Sequence, residues 1–366
     1  MAAHRLSPLK SKVNSAATQR LIRSRYHLAG VADVTNEGVR LRRSYLYVPA
    51  SSDRMLQKSV TNPSDVIIYD LEDSIAPSAR DKKDARDRLT EFLSRICPPH
   101  GPDPERIAVR INSTSTPFFE ADIAEALRIP SVRTLVLPKV NSVQVLHAVS
   151  RAIAARGVRE PVHLVASIES ARALWDIGEI ARWTSTNGVP RGGVLSALLF
   201  AAEDYCADTS IIRTTSRQEL LYARSKIAAA AKAFRLEAID MVGSFFFVNT
   251  PFLHRLEVCV NYKDLNYLKE ECQDGRRLGY TGKQAIHPSQ VKVIQSTFVP
   301  TSEEIMRAAK IVHLMAQTHA AQRGAVGLDV GDGKGGKEEI DAPMLKQAVK
   351  TVELAQAAGL NIPRFD

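Results

Sequence analysis

The 366-residue chain contains no run approaching the roughly 18 consecutive apolar residues that a bilayer-spanning helix needs, so no membrane partner is expected. Cysteine is scarce. The four present (Cys97, Cys206, Cys259, Cys272) form no CxxC and no Cys/His spacing suited to zinc, and the nine histidines include no HExxH. That usage fits a reducing compartment. Phosphate-binding motifs are missing as well: GYTGK at 279–283 has too short a glycine interval for a P-loop, and no GxGxxG follows an apolar run. Nucleotide hydrolysis is therefore not expected. A broad basic face is also lacking, although the net charge is +9. Residues 1–43 hold nine basic side chains against Asp33 and Glu37, whereas the remaining chain holds 40 basic and 38 acidic ones. So neutral a body excludes duplex binding, and no nucleic-acid partner is expected.

What the leader does contain is Arg, Ser and Ala without an acid before Asp33, with Leu9, Val13, Ala17 and Leu21 spaced four apart on one helical face. This is the chemistry of a mitochondrial transit peptide, and residues 1–43 are assigned to it, with the matrix as destination.

Beyond residue 43, short apolar runs recur: 44–48, 65–71, 107–111, 134–138, 162–168, 194–201, 238–242 and, as an eighth, 284–286. Continuous rather than alternating apolar residues indicate strands buried on both faces, and the helical periods between them indicate parallel pairing. Eight such units predict an α/β fold of the TIM (β/α)8 barrel type over 44–322, with a doubly wound sheet as the alternative. Ser216 with Glu219, and Thr301 with Glu304, stand in capping-box spacing before two long helices. Residues 324–336 hold six glycines in 13 positions, which predicts a hinge, and a helical stretch at about 343–358 follows Asp341 and Pro343. Residues 323–366 then form a hinged C-terminal helical arm or lid.

The polar residues of these runs sit at their ends: Asp70, Glu72 and Asp73 after the second, Arg110 and Asn112 after the third, Lys139 after the fourth, Glu169 after the fifth, Glu203 and Asp204 after the sixth. In a parallel barrel all strand C-termini open on one rim, which is where active sites of this fold form. Glu169 and Asp204 supply hard oxygen donors of the kind Mg²⁺ prefers, while two carboxylates also serve as an acid/base or glycosidase pair. Arg110 and Lys139 supply positive charge for a substrate carboxylate or thioester oxygen.

The series RRSYLYVPA (42–50), YDLEDSIAP (69–77), VRIN (109–112), LPKV (137–140), IES (168–170), AAEDYCAD (201–208), LYARSKIAAAAKAFRLEAID (221–240), GYTGKQAIHPSQV (279–291) and IDAPMLKQA (340–348) resembles the HpcH/HpaI aldolase and citrate lyase family. Within that family it is most similar to the citrate lyase β-subunit-like branch, over about residues 42–358. The resemblance implies a carbon–carbon lyase with Mg²⁺, or Mn²⁺, on Glu169 and Asp204, and with CoA as part of the substrate. It implies substrate or CoA contacts from Tyr47, Arg54, Lys58, Arg110, Lys139 and Glu169, with Glu72 and Asp73 behind them. It further implies a homotrimer in which a C-terminal arm delivers a catalytic Asp341 to a neighbouring site.

The reaction so implied is retro-Claisen cleavage of citramalyl-CoA to pyruvate and acetyl-CoA, with Arg110 and Asp341 as catalytic groups. Malyl-CoA or β-methylmalyl-CoA cleavage, with malate synthase or thioesterase activity, is the nearest alternative. The β-subunit of a multisubunit citrate lyase is another, at odds with a transit peptide. One stretch departs from the family pattern, an insertion at about 243–259 carrying Phe245, Phe246 and Phe247. Were it to fill the mouth, the chain would be a non-catalytic member.

Overall fold

The computed structural model describes residues 40–96, 101–158, 160–189, 191–242, 245–247, 258–260, 264–320, 326–329 and 337–365; residues 1–39 of the leader lie outside these. Its strands are β1 (Ser44–Pro49), β2 (Val66–Asp70), β3 (Ile107–Arg110), β4 (Thr134–Leu137), β5 (His163–Ile168), β6 (Val194–Phe200), β7 (Glu237–Asp240), β8 (Phe245–Phe247), β9 (Val258–Val260), β10 (Gly282–Ala285), β11 (Val326–Asp329) and β12 (Lys337–Ile340). Its helices are α1 (Asp53–Ser59), α2 (Ala79–Arg95), α3 (Phe119–Arg128), α4 (Val143–Ala155), α5 (Ala171–Trp175), α6 (Ile177–Ala181), α7 (Ala202–Thr209), α8 (Leu221–Ala233), α9 (Leu265–Leu278), α10 (Pro288–Thr297), α11 (Ser302–Ala320) and α12 (Ala342–Ala357).

Strands β1 to β7 and β10 close into an eight-stranded barrel in the order β1-β10-β7-β6-β5-β4-β3-β2, every neighbour parallel. The barrel forms because the runs are apolar on both pleat faces. Tyr45, Val66, Ile68, Ala108, Val136, Val165, Ala197, Leu199 and Ile239 fill the interior. The alternate residues, among them Leu46, Ile67, Tyr69, Val109, Leu135, Leu164 and Leu198, meet Leu89, Phe92, Ile123, Leu146 and Ile153 of the surrounding helices. Closure between β10 and β1 depends on glycine: a Cβ on Gly282 would stand 2.5 Å from the Arg42 carbonyl oxygen and 2.7 Å from that of Arg43. Those carbonyls must come close for the Lys283 amide to donate to Arg43 O at 2.8 Å.

Two local readings of the sequence need correction or detail. The helix expected from residue 216 starts at Leu221 after a 3-10 turn over Gln218–Leu220, because Glu219 accepts from the Thr214 amide (2.6 Å) and hydroxyl (2.9 Å) instead of closing a box with Ser216. At α11 the box forms as expected, with Glu304 N donating to Thr301 Oγ1 (3.2 Å) and Thr301 N to Glu304 Oε2 (2.7 Å). In the 243–259 segment β8 pairs antiparallel with β9, and residues 243–244 and 248–257 lie outside the described ones. Strand β11, inside the glycine-rich stretch, pairs antiparallel with β12, which directly follows that stretch. Helix α12 then packs on α11 through Ala348, Met344 and Leu345 against Ala308, Ile311 and Met315.

Between β7/β10 and the helices outside them lies a buried ionic network. Arg224 on α8 grips Asp240 bidentately (Nε 3.1 Å, Nη2 2.7 Å) and reaches Asp274 with Nη1 (2.5 Å), while Lys283 faces Asp240 at 3.7 Å and Glu271 at 3.4 Å. Arg224, Asp240, Glu271 and Lys283 are all essentially inaccessible. Removing one partner of such a group leaves a charge uncompensated, which typically costs about 3 to 5 kcal/mol. Arg224→Met is accordingly expected to lose stability in that range in urea titrations. The exposed Arg95→Met control should stay within about 0.5 kcal/mol of wild type.

Candidate active site

Parallel register builds the centre of the site. Asp70, the last residue of β2, pairs with Arg110, the last residue of β3, and both side chains rise from the barrel rim. Arg110 donates to Asp70 with Nε and Nη2, each at 2.7 Å, and Nη1 donates to Asp73 at 3.2 Å with Glu72 3.1 Å away. Its guanidinium lies over the Tyr47 ring, 4.8 Å from the centroid. Burial alone would raise the Asp70 carboxyl, but the guanidinium and the amides of Glu72 and Ser74 outweigh it and hold it below the ordinary value. Those two amide bonds also curl the β2–α2 loop, which brings Glu72 back over the mouth.

Lys139 follows β4 with φ +53°, a left-handed conformation that a non-glycine residue adopts at some cost in strain. The turn aims its amine at Glu72 (2.8 Å), with Glu169 at 3.9 Å. Burial pulls this amine down, yet the hydrogen bond and charge of Glu72 and the charge of Glu169 prevail and raise it above its usual value. Glu169, just past β5, is 6% exposed, and its carboxyl is pushed up to about 7 by burial first and by the Asp204 charge second. Asp204 stands in the first turn of α7, after β6, and is raised chiefly by burial.

These residues suit a divalent cation. Glu169 Oε2 is buried with no hydrogen-bond donor, and the neighbouring carboxylate of Asp204 destabilises its charge, so a hard cation between the two would relieve both defects. Among the described residues no three His, Cys, Asp or Glu side chains converge as a ready ligand set. A cation held by Glu169 and Asp204 would complete its shell with water or substrate oxygens, as Mg²⁺ commonly does.

The structure thus gathers Tyr47, Glu72, Asp73, Arg110, Lys139, Glu169 and Asp204 at one mouth. It does not bring the other three there. Arg54 and Lys58 lie one turn apart on the exposed side of α1. Asp341 is exposed, and its carboxylate caps α12 by accepting from Met344 N at 2.8 Å. Glu203, read as a rim residue, turns instead to an ion pair with buried Arg213. Asn112, read from the sequence as a strand-end residue, and two residues not singled out there, Lys82 and Gln284, hold the site in place. Lys82 on α2 donates to the carbonyls of Leu71 (2.8 Å) and Glu72 (2.7 Å), and Asn112 Nδ2 donates to Leu71 O (2.9 Å). Gln284 on β10 accepts from the Tyr47 hydroxyl at 3.1 Å. A polar residue inside a predicted buried strand was the signal for Gln284, whereas nothing marked Lys82 among the charged residues of α2.

The lowered Asp70 carboxyl makes stability pH-dependent with a definite sign. A carboxyl depressed on folding contributes stability that is present above the unfolded value, about 3.9, and disappears as pH falls through the folded value. Asp70→Asn is expected to be clearly less stable than wild type at neutral pH. Denaturant titrations should show that gap narrowing only below about pH 4.

The chain is similar to known proteins. Residues 43–288 match the family model described as HpcH/HpaI aldolase/citrate lyase. Mitochondrial citramalyl-CoA lyase of Homo sapiens is 30% identical over 360 residues, covering 95% of this chain and 97% of the relative. The citrate lyase subunit beta of Leuconostoc mesenteroides subsp. cremoris is 29% identical over 323 residues, covering 87% of this chain and 94% of that one. Among solved structures, protein CitE of Mycobacterium tuberculosis, in complex with magnesium, acetoacetate and coenzyme A, superposes with a TM-score of 0.61 at 26% identity, covering 88% of this chain and all of that one. By the extent of the family match, and by the near full-length human relative, this chain belongs to the HpcH/HpaI aldolase/citrate lyase family.

Proposed function

We propose that the chain is a Mg²⁺-dependent carbon–carbon lyase that cleaves citramalyl-CoA to pyruvate and acetyl-CoA in the mitochondrial matrix. Family membership makes it a carbon–carbon lyase acting on a CoA ester. The observation that carries the metal reading is the buried Glu169 Oε2, which accepts no hydrogen bond and feels the Asp204 charge. The human relative, named for citramalyl-CoA and for the mitochondrion, supports the substrate and the compartment, as does the acid-free basic leader. The CitE structure, which holds magnesium and coenzyme A, supports the metal and the thioester.

In the cleavage the tertiary hydroxyl loses its proton, the adjacent carbon–carbon bond breaks as the carbonyl of pyruvate forms, and the bonding pair passes into the thioester enolate. Protonation of that enolate at carbon gives acetyl-CoA. Mg²⁺, when bound, supplies Lewis-acid polarisation of the substrate oxygens. Glu169 and Asp204 hold it, with Mn²⁺ an acceptable substitute. Arg110 has three of its five N–H bonds committed to Asp70 and Asp73, so its remaining Nη hydrogens answer the charge developing on the thioester oxygen. Lys139 stays an ammonium, because its ion pairs raise its pKa, and it neutralises substrate charge instead of forming a Schiff base. Arg54 and Lys58, exposed on α1 outside the cluster at the mouth, meet the CoA phosphates. Asp341, whose carboxylate caps α12, exchanges the proton at the enolate carbon and reaches that atom from a neighbouring subunit of a homotrimer.

Purified protein incubated with Mg²⁺ and citramalyl-, malyl- or β-methylmalyl-CoA should cleave citramalyl-CoA fastest, with acetyl-CoA from the first two and propionyl-CoA from the third read by chromatography. Pockets discriminate one methyl by only about 1 to 3 kcal/mol, so the ratio of kcat/KM decides the substrate. EDTA should abolish turnover. Glu169→Gln and Asp204→Asn should each eliminate the Mg²⁺ binding heat in calorimetry while leaving Tm unchanged. Full activity in EDTA would sink the metal assignment.

Asparagine still caps a helix, so Asp341→Asn should keep its Tm, whereas loss of a general acid/base lowers kcat by about 10² to 10⁴-fold. Co-expressing Asp341→Asn with Asp204→Asn subunits should restore part of the activity by placing intact barrels beside intact arms. Hetero-oligomers as inactive as either parent would mean that no arm crosses between subunits.

A further inference from the structure

We infer that Gln284 is a positioning residue of this site, fixing the Tyr47 ring on which the Arg110 guanidinium rests. Gln284 is 3% exposed and stands on the interior face of β10, the strand that closes the barrel. Its Nε2 donates to two backbone carbonyls, Phe200 O at 2.9 Å and Asp240 O at 3.1 Å, at the ends of β6 and β7. Both amide hydrogens are thereby used, and the orientation is unique. A flipped amide would set Oε1 against two carbonyl oxygens and leave no donor for either. Oε1 therefore faces the Tyr47 hydroxyl, 3.1 Å away, as an acceptor, and the phenol must be the donor.

Two consequences reach the chemistry. A phenol has one proton, and that of Tyr47 is committed to Gln284, so Tyr47 offers a ligand in the mouth its lone pairs and ring face but no proton. The tether also sets the plane of the ring. Arg110 lies 4.8 Å above its centroid while its Nε and Nη2 grip Asp70, so the guanidinium is fixed by a carboxylate on one edge and by an aromatic face beneath. Three barrel strands, β6, β7 and β10, thus hold a group on β3 across the barrel interior through one amide and one ring. Burial pushes the Tyr47 phenol well above its usual value, which keeps the donor proton in place at physiological pH.

The kinetic part of the inference rests on the lyase reading and on Arg110 answering charge in the reaction; the geometric part does not, and the test separates them. Tyr47→Phe keeps the ring and both carbonyl bonds of Gln284 but removes the tether, and Gln284→Met removes the tether from the other side. Each is expected to lower kcat by roughly 10- to 100-fold with little change in KM, the range expected for a misplaced reacting group. The double variant should be no slower than the slower single one, because both changes cut the same link. Multiplying losses, or wild-type kcat in Tyr47→Phe, would overturn the inference. Should Gln284→Met fail to fold, Tyr47→Phe decides alone. Crystal structures of wild type and Tyr47→Phe give the readout that needs no turnover. The ring is expected to rotate and the guanidinium to shift from its place over it. An unmoved ring and guanidinium would overturn the proposal even if the enzyme proves active. If the wild type cleaves none of the CoA esters while the ring and guanidinium move as expected, the substrate reading fails and the positioning role stands.

Discussion

Five carboxylates gathered at one barrel mouth, answered by two cations, set the terms for the rest of this structure. Closing eight parallel strands forces every strand C-terminus onto the same rim, so Asp70, Glu72, Asp73, Glu169 and Asp204 meet whether or not their charges repel. Arg110 and Lys139 are drawn into the gaps: Arg110 ties the three carboxylates at the end of β2 to β3, and Lys139 bridges Glu72 after β2 and Glu169 after β5. Their positive charge is insufficient, and the deficit falls on Glu169, the most enclosed acid lacking a close counter-ion. Its carboxyl is pushed up to about 7 because burial and the Asp204 charge outweigh the Ser167 hydrogen bond and the Lys139 charge that favour ionisation. A cation between Glu169 and Asp204 would relieve that deficit.

Such a concentration of like charge must be held rigidly, and the fold does so from beneath and outside. The β2–α2 loop hangs from Lys82 and Asn112, and Asn112 is itself fixed by Asp122, which accepts from its backbone amide at 2.8 Å and its side-chain amide at 2.5 Å. Arg86 completes that shell with 2.9 Å to the other Asp122 oxygen. On the opposite side, Glu203 of α7 is tied to Arg213, and Arg213 to Met241 Sδ and the Val242 carbonyl, each at 3.5 Å. Since Asp204 is the next residue along α7, the orientation of that carboxylate follows from where Glu203 is anchored. Lys82 and Asn112 hold the backbone of the loop that carries Glu72, and Arg213 holds the neighbour of Asp204 on α7.

The barrel and most of its rim were legible in the sequence because the relevant signal is local. A run such as VIIYD shows its own burial, and a carboxylate directly after it shows which end of the strand is polar. Arg110, Lys139, Glu169 and Asp204 could be placed by that rule alone. What it could not deliver were pairings across the barrel. Gln284 meets Tyr47 from 237 residues away, and no spacing announces such a partnership. Asp70 was visible as a strand end, but its bidentate grip on Arg110 depends on register, which the pattern leaves undefined by a residue or two. The start of α8 was misjudged for a related reason: Glu219 was free to choose between two backbone partners, and the turn at Thr214 won.

Lys139 ties the charge balance to the binding of substrate. Its backbone is held in a conformation that penalises a side chain, and the compensation visible in the structure is the ion pair with Glu72 and the longer one with Glu169. A divalent cation on Glu169 would compete with Lys139 for that carboxylate and repel its ammonium. The freed ammonium would then stand beside the cation with one anion fewer to satisfy it, and an incoming carboxylate would be the group that restores the balance. Arg110 differs, because its grip on Asp70 is short, doubled and buried, so it stays in place through such an exchange. The mouth thus pairs one cation fixed by a doubled, buried grip with one whose two partners, Glu72 and Glu169, follow different strands.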